Sequence, residues 1–133
     1  SRRGAIVVFD VDDFKSVNDR YGHLYGDESL RIIAGNIREA FSRVGVCYRI
    51  GGDEFCVIGT AADRKGVCAA EERFIKLASA AREKDERLPI VSLGAAFYDR
   101  DRGTATEAAS EADSQMYEYK RKRKQAGGGA ENS

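Results

Sequence analysis

The sequence predicts an α+β fold in which an antiparallel-containing sheet of βαββαβ type is flanked by helices. Three observations predict it. Short β-rich runs and longer amphipathic stretches follow one another as strand, helices, hairpin, helix, strand, helix. Val46-Cys47-Tyr48 and Cys56-Val57-Ile58 flank Gly51-Gly52 and read as the arms of a hairpin, with glycine supplying the positive φ of a tight reversal. At 133 residues the chain suits one hydrophobic core rather than two. The simplest packing puts the helices on one face of the sheet, with the first strand antiparallel to the second arm of the hairpin.

The chain opens with Ser1-Arg2-Arg3-Gly4, which reads as a cut inside a longer protein. Ala5-Ile6-Val7-Val8-Phe9 is a continuous apolar, β-branched run, the mark of a strand covered on both faces. Asp10-Val11-Asp12-Asp13 ends it and begins a short helix, with Asp12 or Asp13 as cap and Gly22 closing the helix. A loop from His23 to Asp27 then leads into a long helix. Its apolar stripe is Leu30, Ile33, Ala34, Ile37, Phe41 and Val44, while Arg31, Asn36, Arg38 and Glu39 face water.

After the hairpin, which ends near Gly59-Thr60, a second amphipathic helix is predicted from Lys65 to Glu86. Val67, Ala70, Phe74, Leu77, Ala78 and Ala81 turn inward. Pro89 precedes a strand over Ile90–Phe97. A polar loop from Tyr98 to Thr104 follows, then a last helix through Ala109, Ala112, Met116 and Tyr119. The domain spans 1–126, and 127–133, with Gly127-Gly128-Gly129, reads as a flexible tail.

Composition narrows the chemistry. Acidic and basic side chains balance at 22 each, so no global field favours nucleic acid or an anionic membrane. No apolar run reaches the length of a membrane span, and direct membrane contact is not expected. Three cysteines without zinc-type spacing suggest reduced thiols packed as small apolar groups, in a cytoplasmic setting. One histidine and no tryptophan argue against a histidine-centred triad or an imidazole metal cage. Carboxylates, lysines and bound ions are left to carry any reaction.

The predicted topology brings the end of the first strand, at Asp10, to the start of the hairpin's return arm, at Asp53 and Glu54. Three carboxylates, with the Val11 carbonyl nearby, make an oxygen-rich site that suits Mg²⁺ or Mn²⁺ rather than zinc. The adjoining helix start offers the N–H groups of Phe14 and Lys15, and a lysine charge, to phosphate. Gly51 and Gly52 let a bulky ligand approach the backbone closely. The plain alternative is a solvated acidic hairpin beside a capping cluster. Capping is the preferred reading for Asp12 and Asp13, but a carboxylate ending a buried strand, as Asp10 does, wants a partner.

Gly51-Gly52-Asp53-Glu54-Phe55 resembles the signature of the GGDEF family, the diguanylate cyclases that condense two GTP into cyclic di-GMP. Asp10-Val11-Asp12-Asp13-Phe14-Lys15, Asn18-Asp19, Tyr21-Gly22-His23 and Gly26-Asp27 resemble that family's D-x-D-x-F-K, N-D, Y-G-H and G-D elements, in order and at matching spacing. Val91-Ser92-Leu93-Gly94 resembles its sheet motif, and Ala112-Asp113, Met116-Tyr117 and Lys120 its final helix. The resemblance covers nearly the whole chain and implies a ferredoxin-like, nucleotidyl-cyclase-type sheet.

The resemblance further implies that Asp10 and Asp53 hold metal through their carboxylates and Val11 through its carbonyl. Glu54 would deprotonate the attacking ribose 3′-hydroxyl, directly or by ligating a metal, and Lys15 would steady charge on the phosphoryl group under attack. Asn18 and Asp27 would read guanine, whose N1–H and N2 amino group suit a bidentate carboxylate; capping remains open for both. For His23, lining the purine pocket and a purely structural place are both open. In the basic run Lys120–Lys124, a helix C-terminus whose cations complement the dipole, the resemblance nominates Lys120 for triphosphate, and Lys124 by position.

Departures from the family pattern carry expectations of their own. Arg123-Lys124-Gln125 stands where a Gly-Arg-Asn-type segment is usual, so the grip on phosphate loses a bidentate fork. The glycine tail replaces a further strand, and the upstream D-x-L-T segment is missing, as truncation at Ser1 would have it. The R-x-x-D element of the inhibitory product site falls on Ser42-Arg43-Val44-Gly45, with neither end residue in place. Feedback inhibition through that site is therefore not expected. Since one domain binds one GTP, catalysis implies a homodimer, normally brought together by an upstream sensory or regulatory domain that this chain lacks. The alternative is a silent domain that binds GTP to regulate a partner.

Overall fold

The computed structural model describes residues 3–60, 62–99 and 105–131. In chain order these form β1 (Arg3–Val11), α1 (Phe14–Tyr21), α2 (His23–Phe41), β2 (Val46–Arg49), β3 (Glu54–Gly59), α3 (Arg64–Lys84), β4 (Val91–Asp99) and α4 (Ala105–Glu131). The sheet order is β2-β3-β1-β4, with every neighbouring pair antiparallel. This is the expected βαββαβ sheet, with β1 beside the return arm of the hairpin.

The period-two geometry of β1 explains the layering. Ala5, Val7, Phe9 and Val11 face a core with Leu30, Ile33, Ile37 and Phe41 of α2 and Val67, Ala70 and Phe74 of α3. Phe9 sits edge-on between Phe41, at 5.4 Å, and Phe74, at 5.3 Å. Burying such a ring contributes about 1.5–3 kcal/mol. Ile6 and Val8 turn to the other side, where Cys56 and Ala96 pack with Ala108 and Ala112 of α4. The expectation of helices on one face is thus corrected: α4 covers β1 and β4 from the opposite side, because β1 is apolar on both faces.

Other boundaries also differ from expectation. No loop separates the first two helices. Gly22, at φ 90°, makes the turn alone, and His23 to Asp27 form the first turns of α2. Val44 of the predicted stripe lies beyond α2 and is half-buried. Asp63 caps α3, its side chain accepting from the Gly66 N–H at 2.7 Å. Ala78 and Leu77 pack at the margin of the core rather than inside it. The polar loop predicted over 98–104 is shortened by β4, which runs to Asp99, and 100–104 lie outside the described residues. Where fraying is expected at Gly127-Gly128-Gly129, α4 continues to Glu131. Each glycine lowers helix propensity by about 1 kcal/mol but does not forbid the conformation.

Gly94 of β4 is required by close approach. A methyl group there would overlap the Ala112 carbonyl and the Met116 amide of α4. All three cysteines are free. Cys47 packs toward α2 and α3, Cys56 toward α4, and burial raises both thiol pKa values; Cys68 is exposed, contrary to the reading of all three as packed groups.

Candidate active site

Asp10 is the last carboxylate on β1, and the sheet register sets it directly opposite Glu54, the first residue of β3. The hairpin loop, residues 50–53, folds back over the end of β1, where the Val11 N–H donates to the Asp53 carbonyl at 3.0 Å. In consequence the carboxylates of Asp10, Asp53 and Glu54 each bring an oxygen within 4.8 Å of the others. Two acidic segments about forty residues apart in sequence meet at one place, as the topology predicts.

The Val11 carbonyl belongs to the same place by peptide geometry. The Asp12 N–H donates across to Ile90 on the β4 side, at 2.9 Å. A trans peptide points its carbonyl opposite its N–H, so the Val11 oxygen faces the hairpin side.

Burial, and then the charges of Asp10, Asp53 and Asp113, raise the Glu54 pKa above the ordinary carboxylate value. The cation within ion-pair distance of Asp10 among the described residues is Lys120 of α4, its Nζ 3.0 Å from Oδ2. Lys120 therefore rests on the carboxylates rather than standing free for phosphate.

Asp12 does not cap α1. It is 8% exposed, accepts from the Ser92 hydroxyl at 3.1 Å, and pairs with Lys120 at 3.4 Å and with the Arg123 guanidinium. Asp13 occupies the N-cap position at φ 50° with no side-chain capping bond. The capping reading fails for both because Asp12 is claimed by partners on β4 and α4, and Asp13 adopts a left-handed turn. Arg123 and Ser92 were not singled out as site residues. Arg123 follows Lys120 by three positions and so shares its helix face, the one signal that could have found it.

The hairpin turn is wider than a two-residue reversal. Neither Gly51 nor Gly52 has a left-handed φ, correcting the expected tight turn. Instead Ile50 N–H donates to the Glu54 carbonyl at 3.0 Å, and the Arg49 guanidinium holds the Gly51 and Gly52 carbonyls at 3.2 and 2.7 Å. A side chain at Gly52 would meet nothing within 4 Å, so the space above the loop is open.

Phe14, half-buried, and Lys15, exposed, begin α1 three and four residues after Val11. Asn18 lies farther along α1, its side chain against Gly26 of α2, where a methyl group would overlap Oδ1. Asp27 follows Gly26 in the second turn of α2, and His23 is the exposed first residue of that helix. Capping is thereby excluded for Asp27, because α2 starts four residues earlier. Lys124 is exposed on α4, lining with Tyr117, Lys120 and Arg121 a groove of about 320 Å³.

Residues 1–126 match the family model described as "Diguanylate cyclase, GGDEF domain". Over 121 residues the chain is 35% identical to the bifunctional diguanylate cyclase/cyclic di-GMP phosphodiesterase MucR of Pseudomonas aeruginosa, covering 90% of this chain and 18% of that protein. It is 40% identical over 72 residues to the diguanylate cyclase DgcZ of Escherichia coli, covering 54% of this chain and 24% of that protein. Among solved structures, the GGDEF domain of PA1120 (YfiN or TpbB) from Pseudomonas aeruginosa superposes with a TM-score of 0.76 at 29% identity, covering 91% of this chain and 78% of that one. The chain thus spans about a fifth of MucR and a quarter of DgcZ.

Proposed function

The chain belongs to the GGDEF family, and from that premise we propose that it is a diguanylate cyclase domain that condenses two GTP into cyclic di-GMP. The observation that carries the proposal is the convergence of Asp10, Asp53 and Glu54 beside the first turn of α1. Their hard oxygen donors fit Mg²⁺ or Mn²⁺, and the ion pair of Lys120 with Asp10 supports a cradle for positive charge. Asp10 and Asp53, with the Val11 carbonyl, would hold the ion, which when bound neutralises phosphate charge and lowers the pKa of a coordinated hydroxyl.

The remaining roles fall to the chain itself. Glu54 either receives the proton of the ribose 3′-hydroxyl or helps hold the ion that would lower that hydroxyl's pKa. The 3′-oxygen bonds to the α-phosphorus of the facing GTP as the bond to the bridging oxygen breaks, and pyrophosphate leaves. Lys15 and the Phe14 and Lys15 N–H groups offset charge on the phosphoryl oxygens. Open space above Gly52 admits the phosphates, with Lys120 and Lys124 of α4 bordering a groove of their own.

Asn18 and Asp27 select guanine, the carboxylate accepting from N1–H and N2, and His23 borders the purine. Adenine would leave Asp27 without a donor pair. Domain 1–126 supplies half of a reaction centre, so turnover requires two domains face to face, assembled by an upstream sensory or regulatory domain. With Ser42 and Gly45 at the R-x-x-D positions, product inhibition through that site is absent. The proposed setting is the cytoplasm, either free or as the cytoplasmic part of a membrane-anchored sensor. Among the described residues no helix is long and apolar enough to cross a membrane.

The test is incubation with GTP and Mg²⁺ of the chain fused to a dimerising coiled coil, beside the unfused chain. The fused protein should release cyclic di-GMP and the unfused one much less. GTP bound without turnover in the fused form would make the domain a GTP receptor instead.

A further inference from the structure

Asp12 is enclosed at the junction of β1, β4 and α4, and its charge is answered twice without Lys120, by the Ser92 hydroxyl and the Arg123 guanidinium. Lys120 nevertheless touches both Asp12, at 3.4 Å, and Asp10, at 3.0 Å. Asp10 is the member of the carboxylate cluster that this ammonium contacts, and Asp53 and Glu54 crowd the same spot. One positive charge beside three carboxylates leaves the cradle negative. The same lysine also borders the open groove with Tyr117, Arg121 and Lys124, so its flexible stem has room to carry the ammonium off the carboxylates.

We propose that Lys120 is the resident counter-ion of the carboxylate cradle, steadied by Asp12, and that its transfer from Asp10 to a nucleotide phosphate couples cation binding to nucleotide binding. The inference rests on the metal-cradle reading above and adds a sign to it. In the nucleotide-free protein the ammonium competes with a divalent cation for Asp10, so the bare cation binds weakly. A triphosphate draws the ammonium to itself and leaves Asp10 to the cation. Because such coupling is reciprocal, the cation tightens nucleotide by the same factor, within the range of about 5–150-fold usual for coupled sites. Asp12 is a positioning residue here: it keeps the lysine near both acceptors rather than loose in solvent.

The test measures Mn²⁺ binding by electron paramagnetic resonance, with and without a non-hydrolysable GTP analogue, in the wild-type chain and in Lys120→Met. The substitution keeps the apolar stem and removes the charge. Lys120→Met should bind Mn²⁺ alone at least about 5-fold more tightly than wild type, should bind the analogue more weakly, and should lose most of the mutual enhancement. Lys120→Arg should restore the wild-type pattern in part. If Lys120→Met binds the analogue more weakly but Mn²⁺ alone no better, Lys120 is only a phosphate ligand and the proposal is overturned. Lys120→Gln repeats the test should the Met variant misfold, judged by its melting curve. Asp10→Asn separates the underlying reading: Mn²⁺ binding that survives it lies elsewhere, which overturns the cradle as well as the counter-ion. An intact cradle in a protein that makes no cyclic di-GMP would count against the cyclase reading alone.

Discussion

Replacing Gly94 with alanine tests how tightly the site's two halves are joined. The added methyl would overlap the Ala112 carbonyl and the Met116 amide and lie 2.8 Å from the Met116 Cα. These are backbone atoms, so relief requires α4 to move off the sheet as a unit. Overpacking of this kind destabilises by about 1–3 kcal/mol. With an unfolding entropy of about 2.1 cal/mol/K per residue, the 133-residue chain has roughly 0.28 kcal/mol/K, and Tm should fall by about 4–11 °C. Activity of the dimerised protein should fall further than stability explains, because α4 also carries Lys120 and Arg123 to Asp10 and Asp12. The matched control is Gly35→Ala in α2, where a methyl meets nothing within 4 Å. It should raise stability by about 0.5–1 kcal/mol, or Tm by about 2–4 °C. Calorimetry and a turnover assay below both transitions measure the pair. A Gly94→Ala protein that melts within 1 °C of wild type (roughly 0.3 kcal/mol) and turns over normally would refute the close seating of α4.

Three further outcomes follow from the described contacts. Gly26→Ala should push the Asn18 side chain aside and weaken GTP while leaving Mn²⁺ binding to the carboxylates unchanged, read by calorimetric titration of each. Glu54→Gln removes a like charge directly opposite Asp10, so without metal it should stabilise the fold by about 0.2–1 kcal/mol, whereas in Mg²⁺ and GTP it should abolish turnover. The third concerns pH: the Arg87 guanidinium and the Tyr25 hydroxyl hold the Asp85 carboxyl at about 2, below its ordinary 3.8. A depressed folded pKa gives stability that is complete above the ordinary value and lost as pH falls toward 2. Asp85→Asn should therefore lower Tm at neutral pH, with the difference closing between about pH 4 and 2.

Much of the frame was legible because it depends on local pattern. The apolar run of β1 and the arms of the hairpin set the strands, and their adjacency brought Asp10 to Asp53 and Glu54. That run, apolar at every position, also demanded cover on two faces; the one-faced packing overlooked what Ile6 and Val8 implied. Asp12 was misread because its partners, Ser92 and Arg123, are distant in sequence and a capping role is what a local window offers. Gly26 looked like a loop residue, yet it stands inside α2 because the Asn18 side chain lies against it. The wide turn at Gly51-Gly52 depends on the Arg49 guanidinium folding back on the loop carbonyls, which no turn propensity encodes.

The most direct test is an anomalous-scattering map from crystals grown with Mn²⁺ and a non-hydrolysable GTP analogue. A manganese peak within coordination distance of carboxylate oxygens of both Asp10 and Asp53, with guanine against Asn18 and Asp27, is the predicted result. Manganese bound away from Asp10 and Asp53, or guanine remote from the turn between α1 and α2, would contradict it.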